Sequence, residues 1–224
     1  MAKKTLLARL CCLVAAALLM LSFTTGAVLI QLTNAPRFHR ALQSHVAWER
    51  LGIPPDHLAE FAGETISYLR GDVPAWQPEV LTADGPLPIS PAFTAHMETV
   101  RNGVATAFGV ACWLFAAGIL LLIVGLKTGF STKAWLWGMS LPFLLIAIVC
   151  IAAAIDFDGF WYWLHEHFIP DGIFSGYEPI MRLFPASLFS SYIIPLLLML
   201  AAAVVLLLLV PVIHKIMIRK RSQP

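Results

Sequence analysis

Two histidines, each standing just outside an apolar segment, are the residues best suited to chemistry in this chain. His165 lies in FDGFWYWLHEHF (157–168), with Tyr162 and Trp161 three and four residues before it, hence beside it on a helix. His96 opens HMETV (96–100), shortly before an apolar run that begins at Gly103. An imidazole with its ordinary pKa of about 6.5 both takes and returns protons at neutral pH. A facing pair could take a proton from an amine and return one to a leaving alkoxide. Glu166 and Glu178 are candidates to hold one imidazole in its needed tautomer, and Trp161 and Tyr162 to flank it. Arg182, the one Lys or Arg between 156 and 190, could meet a phosphate, a carbonyl or, most simply, Glu178.

Other chemistries fit less well. His165-Glu166-His167 suggests a metal, yet residues two apart on a helix diverge, and the H-E-x-x-H spacing that puts two histidines on one face is absent. No metal or other cofactor is expected. There is no G-x-S-x-G elbow, and Gly138-Met139-Ser140 falls inside an apolar span. No glycine-rich phosphate loop occurs either. His39, His45 and His57 fall in a polar loop where packing or surface roles are the default, and His214 borders a basic tail. Cys11, Cys12, Cys112 and Cys150 lie in or at the edges of apolar spans and read as buried small apolar residues, not a disulfide framework.

The elements that must position the histidines are membrane spans. Of 224 residues, 59% are hydrophobic and 12% charged, with a mean hydropathy of +0.79, which excludes an ordinary soluble domain. No Asp, Glu, Lys or Arg occurs between Arg9 and Arg37, Arg101 and Lys127, Lys133 and Asp156, or Arg182 and Lys215. Each gap holds the roughly 20 apolar residues of a crossing helix. Helices are expected near 10–32, 103–126, 134–155 and 192–213. The first has a basic start like a signal peptide but a longer apolar run and a poor cleavage site, so it is expected to be retained.

Charge sets the expected orientation. With the N-terminus, the 127–133 turn and the C-terminal tail inside, that side holds Lys3, Lys4, Arg9, Lys127, Lys133, Lys215, Arg219, Lys220 and Arg221 and no carboxylate. The other side holds all thirteen acids against six arginines, a net of −7. The excess of Lys and Arg predicts an N-in, C-in protein of the cytoplasmic membrane. The basic tail suits anionic headgroups, and nothing here points to nucleic acid.

The fold class is therefore all-α, one four-span membrane domain over 1–224, with an extracytoplasmic helical cap (33–102) between the first and second spans. In the cap, Phe38, Leu42 and Val46 share one helical face. Asp56 is placed to cap a second helix lined by Leu58, Phe61, Thr65 and Leu69 and ended by Gly71. Residues 72–89, rich in Pro and Gly, read as an irregular strap, and Ser90-Pro91 restarts a helix running unbroken into the second span. Between the third and fourth spans lies an interfacial aromatic hairpin, 156–190. There Asp156 caps a helix carrying Phe157, Phe160, Trp161, Leu164 and Phe168 on one side, and Pro170-Asp171-Gly172 ends it. Glu178 to Phe184 reads as a short helical turn followed by Pro185.

Three patches in this order carry a resemblance. HMETV (96–100) is similar to a His-Met-x-Asp-Val signature. FDGFWYWLHEHF (157–168) resembles Phe-Asp-x-x-Phe leading to Phe-His-x-x-Phe-Phe, and EPIMRLFPASLF (178–189) an Asp-x-Leu-Ile-x-x-Phe-Pro element ending in aromatics. On four spans with a large first outer loop, these are the pattern of the integral membrane family of the lipoprotein intramolecular transacylase, Lit.

The resemblance implies a reaction within one substrate. The sn-2 acyl chain of a diacylglyceryl-cysteine lipoprotein passes to the α-amine of that cysteine, giving a lyso form, with His96 and His165 in the places of the family's two essential histidines. No cofactor is implied, and the partners are the lipidated N-terminal cysteine and membrane lipid. Three positions depart from the pattern. Thr99 replaces the Asp after His-Met-x, with Glu98 one place earlier and so turned by about 100° on a helix. Glu178 replaces the later Asp, and Ile169 the second Phe. The rival functions are another lipid-acyl transferase or lipase at the outer leaflet, or a lipid- or partner-binding membrane module without catalysis.

Overall fold

The computed structural model describes residues 2–169, 172 and 178–221. It is all-α apart from one small hairpin, and four of its helices are long and apolar enough to cross a membrane. These are α1 (Ala2–Leu32), α4 (Pro91–Thr128), α5 (Thr132–Ile155) and α8 (Ile193–Arg221). Between α1 and α4 lie α2 (Ala35–His45), α3 (Pro55–Arg70) and strands β1 (Leu81–Thr82) and β2 (Gly85–Pro86). Between α5 and α8 lie α6 (Phe157–Phe168), a 3-10 turn (Pro179–Leu183) and α7 (Ala186–Ser190). The chain divides into two compact units, one of residues 1–27, 108–150 and 196–224, the other of 28–107 and 151–195.

The first unit is a helical bundle around α1, the most enclosed of the four spans. Without water to drive apolar burial, helices in lipid associate through close packing and buried hydrogen bonds. Small residues provide the closeness. A Cβ on Gly118 would fall 2.8 Å from Leu19 Cγ, and one on Gly125 2.9 Å from Cys12 Sγ. Gly138 of α5 similarly lets the Leu13 carbonyl of α1 approach. Ser22 Oγ donates to the Ala111 carbonyl at 2.9 Å. Fully buried Trp135 donates its indole N–H to the Leu207 carbonyl of α8, also at 2.9 Å. That carbonyl needs a donor, because the residue four places on is Pro211, which has no N–H to give. Cys11 and Cys12 are buried, whereas Cys112 is exposed and corrects the expectation that all four thiols are enclosed. His214 packs its ring 4.7 Å from that of Phe130.

The second unit is built on an aromatic core. In α2, Asn34 accepts the Arg37 N–H, and Phe38, Ala41, Leu42 and the capping Val46 turn inward. Helix α3 starts at Pro55 with Pro54 at its cap and no side-chain cap bond, so Asp56 sits inside the first turn and does not cap it. Proline at the first helical position presets φ and needs no N–H there. Gly71 closes α3 in the left-handed conformation, φ 84°.

The strap holds the short hairpin that composition alone did not reveal. Leu81 pairs with Pro86 and Thr82 with Gly85, and Thr82 Oγ1 donates to the Gly85 carbonyl at 2.7 Å. Trp76 anchors the strap, buried against Phe61 and Phe93, with its indole N–H given to Thr65 Oγ1 at 3.1 Å. Arg101 donates to the Pro74 carbonyl and lies over the Tyr68 ring.

Candidate active site

Helix α4 brings one histidine. Ser90 Oγ accepts the Phe93 N–H at 3.2 Å and Pro91 begins the helix, a start signal that fixes the register of the next turns. Phe93, His96 and Met97 then share a face, and all three are buried. His96 is 8% exposed, with its ring 5.8 Å from that of Phe93.

Helix α6 brings the other. Asp156 caps it by accepting the Gly159 N–H at 2.9 Å, which places Trp161 and His165 one turn apart on the inward side. His165 is 9% exposed and is the buried residue of this helix. Its Nδ1 lies 2.9 Å from the Trp161 carbonyl oxygen. A carbonyl only accepts, so the shared proton belongs to Nδ1, and Nε2 carries the lone pair.

The two imidazoles face each other with ring centroids 6.0 Å apart and planes 35° apart. A heavy atom between them can lie within the hydrogen-bond reach of about 3 Å that proton transfer requires. Around them runs a closed circuit of rings. His165 meets Trp161 at 4.6 Å, Trp161 stacks on Phe189 at 4.3 Å, and Phe189 stacks on Phe184 at 6.3 Å. Phe184 meets Phe93 at 5.5 Å, and Phe93 returns to His96. The pair thus sits on an aromatic floor, two buried proton carriers in a place that is otherwise apolar. Desolvation of this kind strengthens whatever charge interactions the site makes with a reacting group.

The model of the lipoprotein intramolecular transacylase family Lit matches residues 13–189. The chain belongs to this family. Lit enzymes are acyltransferases that act on lipoproteins, and this chain is a multi-pass membrane enzyme of that class. The fold matches the membrane-integral Lit of Bacillus cereus, at 17% identity and a TM-score of 0.70, over 97% of this chain and 98% of that one. A variant of the same protein with one histidine replaced by alanine matches at 18% identity and a TM-score of 0.71, over 97% and 96%. No curated protein sequence matches the chain.

Among the residues singled out for this Lit-family chain, the structure brings His96, His165 and Trp161 together and sets others apart. Trp161 orients His165 through its backbone carbonyl, a task the sequence had offered to Glu166 or Glu178. Glu166 is exposed and makes no described contact with His165, and the nearby His167 gives its Nδ1 to the Trp163 carbonyl at 2.9 Å, with Glu166 4.0 Å away. Tyr162 is exposed and, among the described residues, makes no ring contact with His165. Glu178 is half-buried at the start of the 3-10 turn with Oε1 buried and no described partner. Arg182 is exposed, and no described carboxylate lies within ion-pair distance of it, so the Glu178–Arg182 pair is not formed.

Phe168 is 69% exposed, in keeping with an interfacial aromatic side, and the inward side of α6 is centred on Trp161 and His165. Thr99 is exposed and spends its hydroxyl on the Ala95 carbonyl, and Glu98 is exposed beside it, so neither enters the site. Pro170 and Asp171 lie outside the described residues, and α6 ends at Phe168 with Ile169 as its cap. No group of three His, Cys, Asp or Glu among the described residues is arranged to hold a metal ion. Phe93, Phe184 and Phe189 frame the site without having been singled out. For Phe93 the signal was its three-residue spacing from His96.

Proposed function

We propose that this enzyme transfers the sn-2 acyl chain of a diacylglyceryl-cysteine lipoprotein to the α-amine of the same cysteine. His165 is the base. Its Nε2 takes a proton from the amine as the nitrogen attacks the ester carbonyl carbon. The tetrahedral intermediate then collapses, the C–O bond to the glyceryl sn-2 oxygen breaks, and a proton returns to that oxygen, leaving a lyso-lipoprotein with an amide. His96 faces the same atoms and supplies the hydrogen bond to the oxyanion or the leaving oxygen. Amine and ester belong to one substrate, so most of the rate comes from holding them together in a dry pocket. No cofactor takes part.

The single observation that carries this reading is the His96–His165 pair at 6.0 Å with the tautomer of His165 set by the Trp161 carbonyl. The charge asymmetry of the loops supports an N-in, C-in arrangement in the cytoplasmic membrane. The cap (33–102) and the hairpin (156–190) then lie on the extracytoplasmic face, where lipoproteins receive their lipid. Exposed Tyr162, Trp163 and Phe168 suit the headgroup layer, and exposed Arg182 is placed to meet a substrate carbonyl or phosphate.

Mass spectrometry of a reporter lipoprotein, from cells with and without this chain, tests the proposal. Intramolecular transfer leaves the total mass unchanged while blocking the N-terminus and freeing one glyceryl hydroxyl. A mass loss of one acyl chain indicates a lipase, a gain indicates transfer from a second lipid, and an unmodified reporter indicates a module without this activity.

A further inference from the structure

Gly172 stands where no side chain fits. A Cβ built on it would lie 2.5 Å from His96 Cε1, 2.8 Å from His96 Nδ1 and 2.7 Å from His165 Cδ2. Carbon atoms in favourable contact sit at about 3.5–4.0 Å. Backbone conformation is not the reason for glycine here, because the described glycines with positive φ are Gly52, Gly71, Gly85 and Gly129. The demand is for space, and it comes from both imidazoles at once.

Neither ring is free to retreat. His165 is held at Nδ1 by the Trp161 carbonyl, on the edge of the ring opposite the one a Cβ at Gly172 would meet. His96 is fixed in α4 and packed on Phe93. Gly172 is itself tied to His165 by hydrogen bonds. The Ile169 N–H donates to the His165 carbonyl at 2.9 Å, and the Gly172 N–H donates to the Ile169 carbonyl at 2.8 Å. Ile169 and Gly172 are therefore linked back to His165 through two consecutive hydrogen bonds. Because its N–H is used in this way, Gly172 is not the oxyanion donor.

We infer that Gly172 is a positioning residue. Its bare backbone is wedged against both imidazoles, sets the gap in which the acyl group changes hands, and covers the Cδ2 edge of His165. Between them, Gly172 and Trp161 brace the two edges of the ring, which leaves Nε2 as the nitrogen presented to substrate. The inference deepens the proposed transacylase reading and rests on it for the activity measured.

The test compares Gly172→Ala with Gly103→Ala, a glycine whose added methyl meets nothing within 4 Å. Imidazole nitrogen NMR on isotope-labelled protein reports the rings, and reporter kinetics report the reaction. In Gly172→Ala the His96 and His165 resonances should move while those of His39, His45 and His57 stay. The kcat should fall about 100-fold with KM nearly unchanged, the loss typical of a misplaced catalytic group. Gly103→Ala should alter neither readout. A kcat within about threefold of the parent, or unmoved His96 and His165 resonances, would overturn the inference. A second variant guards against poor folding. In a His96→Ala background the methyl can enter the vacated space, so Gly172→Ala should scarcely move His165, and an equal displacement there also overturns it. Should the parent show no transacylation, the functional reading falls, and the resonances still decide whether Gly172 sets the gap.

Discussion

His165 donates its Nδ1–H to the backbone carbonyl of Trp161, one helical turn earlier and 2.9 Å away. The same residue covers the imidazole with its indole at 4.6 Å and stacks on Phe189 at 4.3 Å. Trp161 therefore acts twice, through a main-chain oxygen that fixes the tautomer and through a side chain that fixes the ring plane.

These two roles separate by mutation. Trp161→Phe keeps the carbonyl and much of the stacking surface, and activity should remain within about threefold of the parent. Trp161→Ala keeps the carbonyl but removes the wall, and kcat should fall about tenfold to a hundredfold, because small misplacements of a catalytic group are costly. Single-turnover rates on the reporter would separate the outcomes.

Glu166 should be dispensable. It is exposed, its nearest charged neighbour is His167 at 4.0 Å, and an exposed contact of this kind contributes little. Glu166→Gln is expected to leave kcat/KM within about threefold. A hundredfold loss would mean that the carboxylate reaches the substrate or His165 during the reaction.

Tyr192 should make the protein sensitive to alkali. Burial raises its phenol to a pKa of about 12, against a smaller lowering by Arg37, whose guanidinium lies 4.6 Å from the ring centre. An unfolded tyrosine ionises near 10, so between pH 10 and 12 the unfolded chain binds fewer protons than the folded one. Stability unaffected below pH 10 is then lost as pH rises, by up to about 2–3 kcal/mol. Thermal unfolding in micelles at pH 9 and pH 11 should show a smaller drop for Tyr192→Phe than for the parent.

Trp135 and Pro211 should be coupled. Removing the indole N–H in Trp135→Phe orphans the Leu207 carbonyl, which Pro211 cannot satisfy, at a cost of about 1–3 kcal/mol. In a Pro211→Ala background the helix supplies its own donor, and the same replacement should cost clearly less. Equal costs in both backgrounds, measured by unfolding in mixed micelles, would show the two sites to be independent.

The spans were legible because charge is so sparse that its gaps delimit them, and α4 from Pro91 and the Asp156 cap followed from local start signals. The histidine pair was legible in part. Spacing put His96 and His165 just outside their apolar segments, and the family motifs joined them. What held the pair was not. Every residue has a carbonyl, so nothing in the sequence marks that of Trp161 as the partner of His165, and carboxylates draw attention that a backbone oxygen cannot. Cys112 was misplaced for a related reason. In a membrane protein, outward and inward apolar residues have the same composition, so periodicity finds the helix without finding its buried side. Gly172 gave no sign at all, since a glycine after Pro170-Asp171 reads as an ordinary turn.

The central claim is that His96 and His165 act together on one lipidated amine, and replacing each by alanine in the purified protein tests it most directly. Each single variant should insert normally and lower the first-order rate of amide formation by about 10²–10⁴, and the double variant should be little worse than the poorer single one. If either single variant still forms the N-acyl lyso product at a rate near the parent's, the pair is not the catalytic centre.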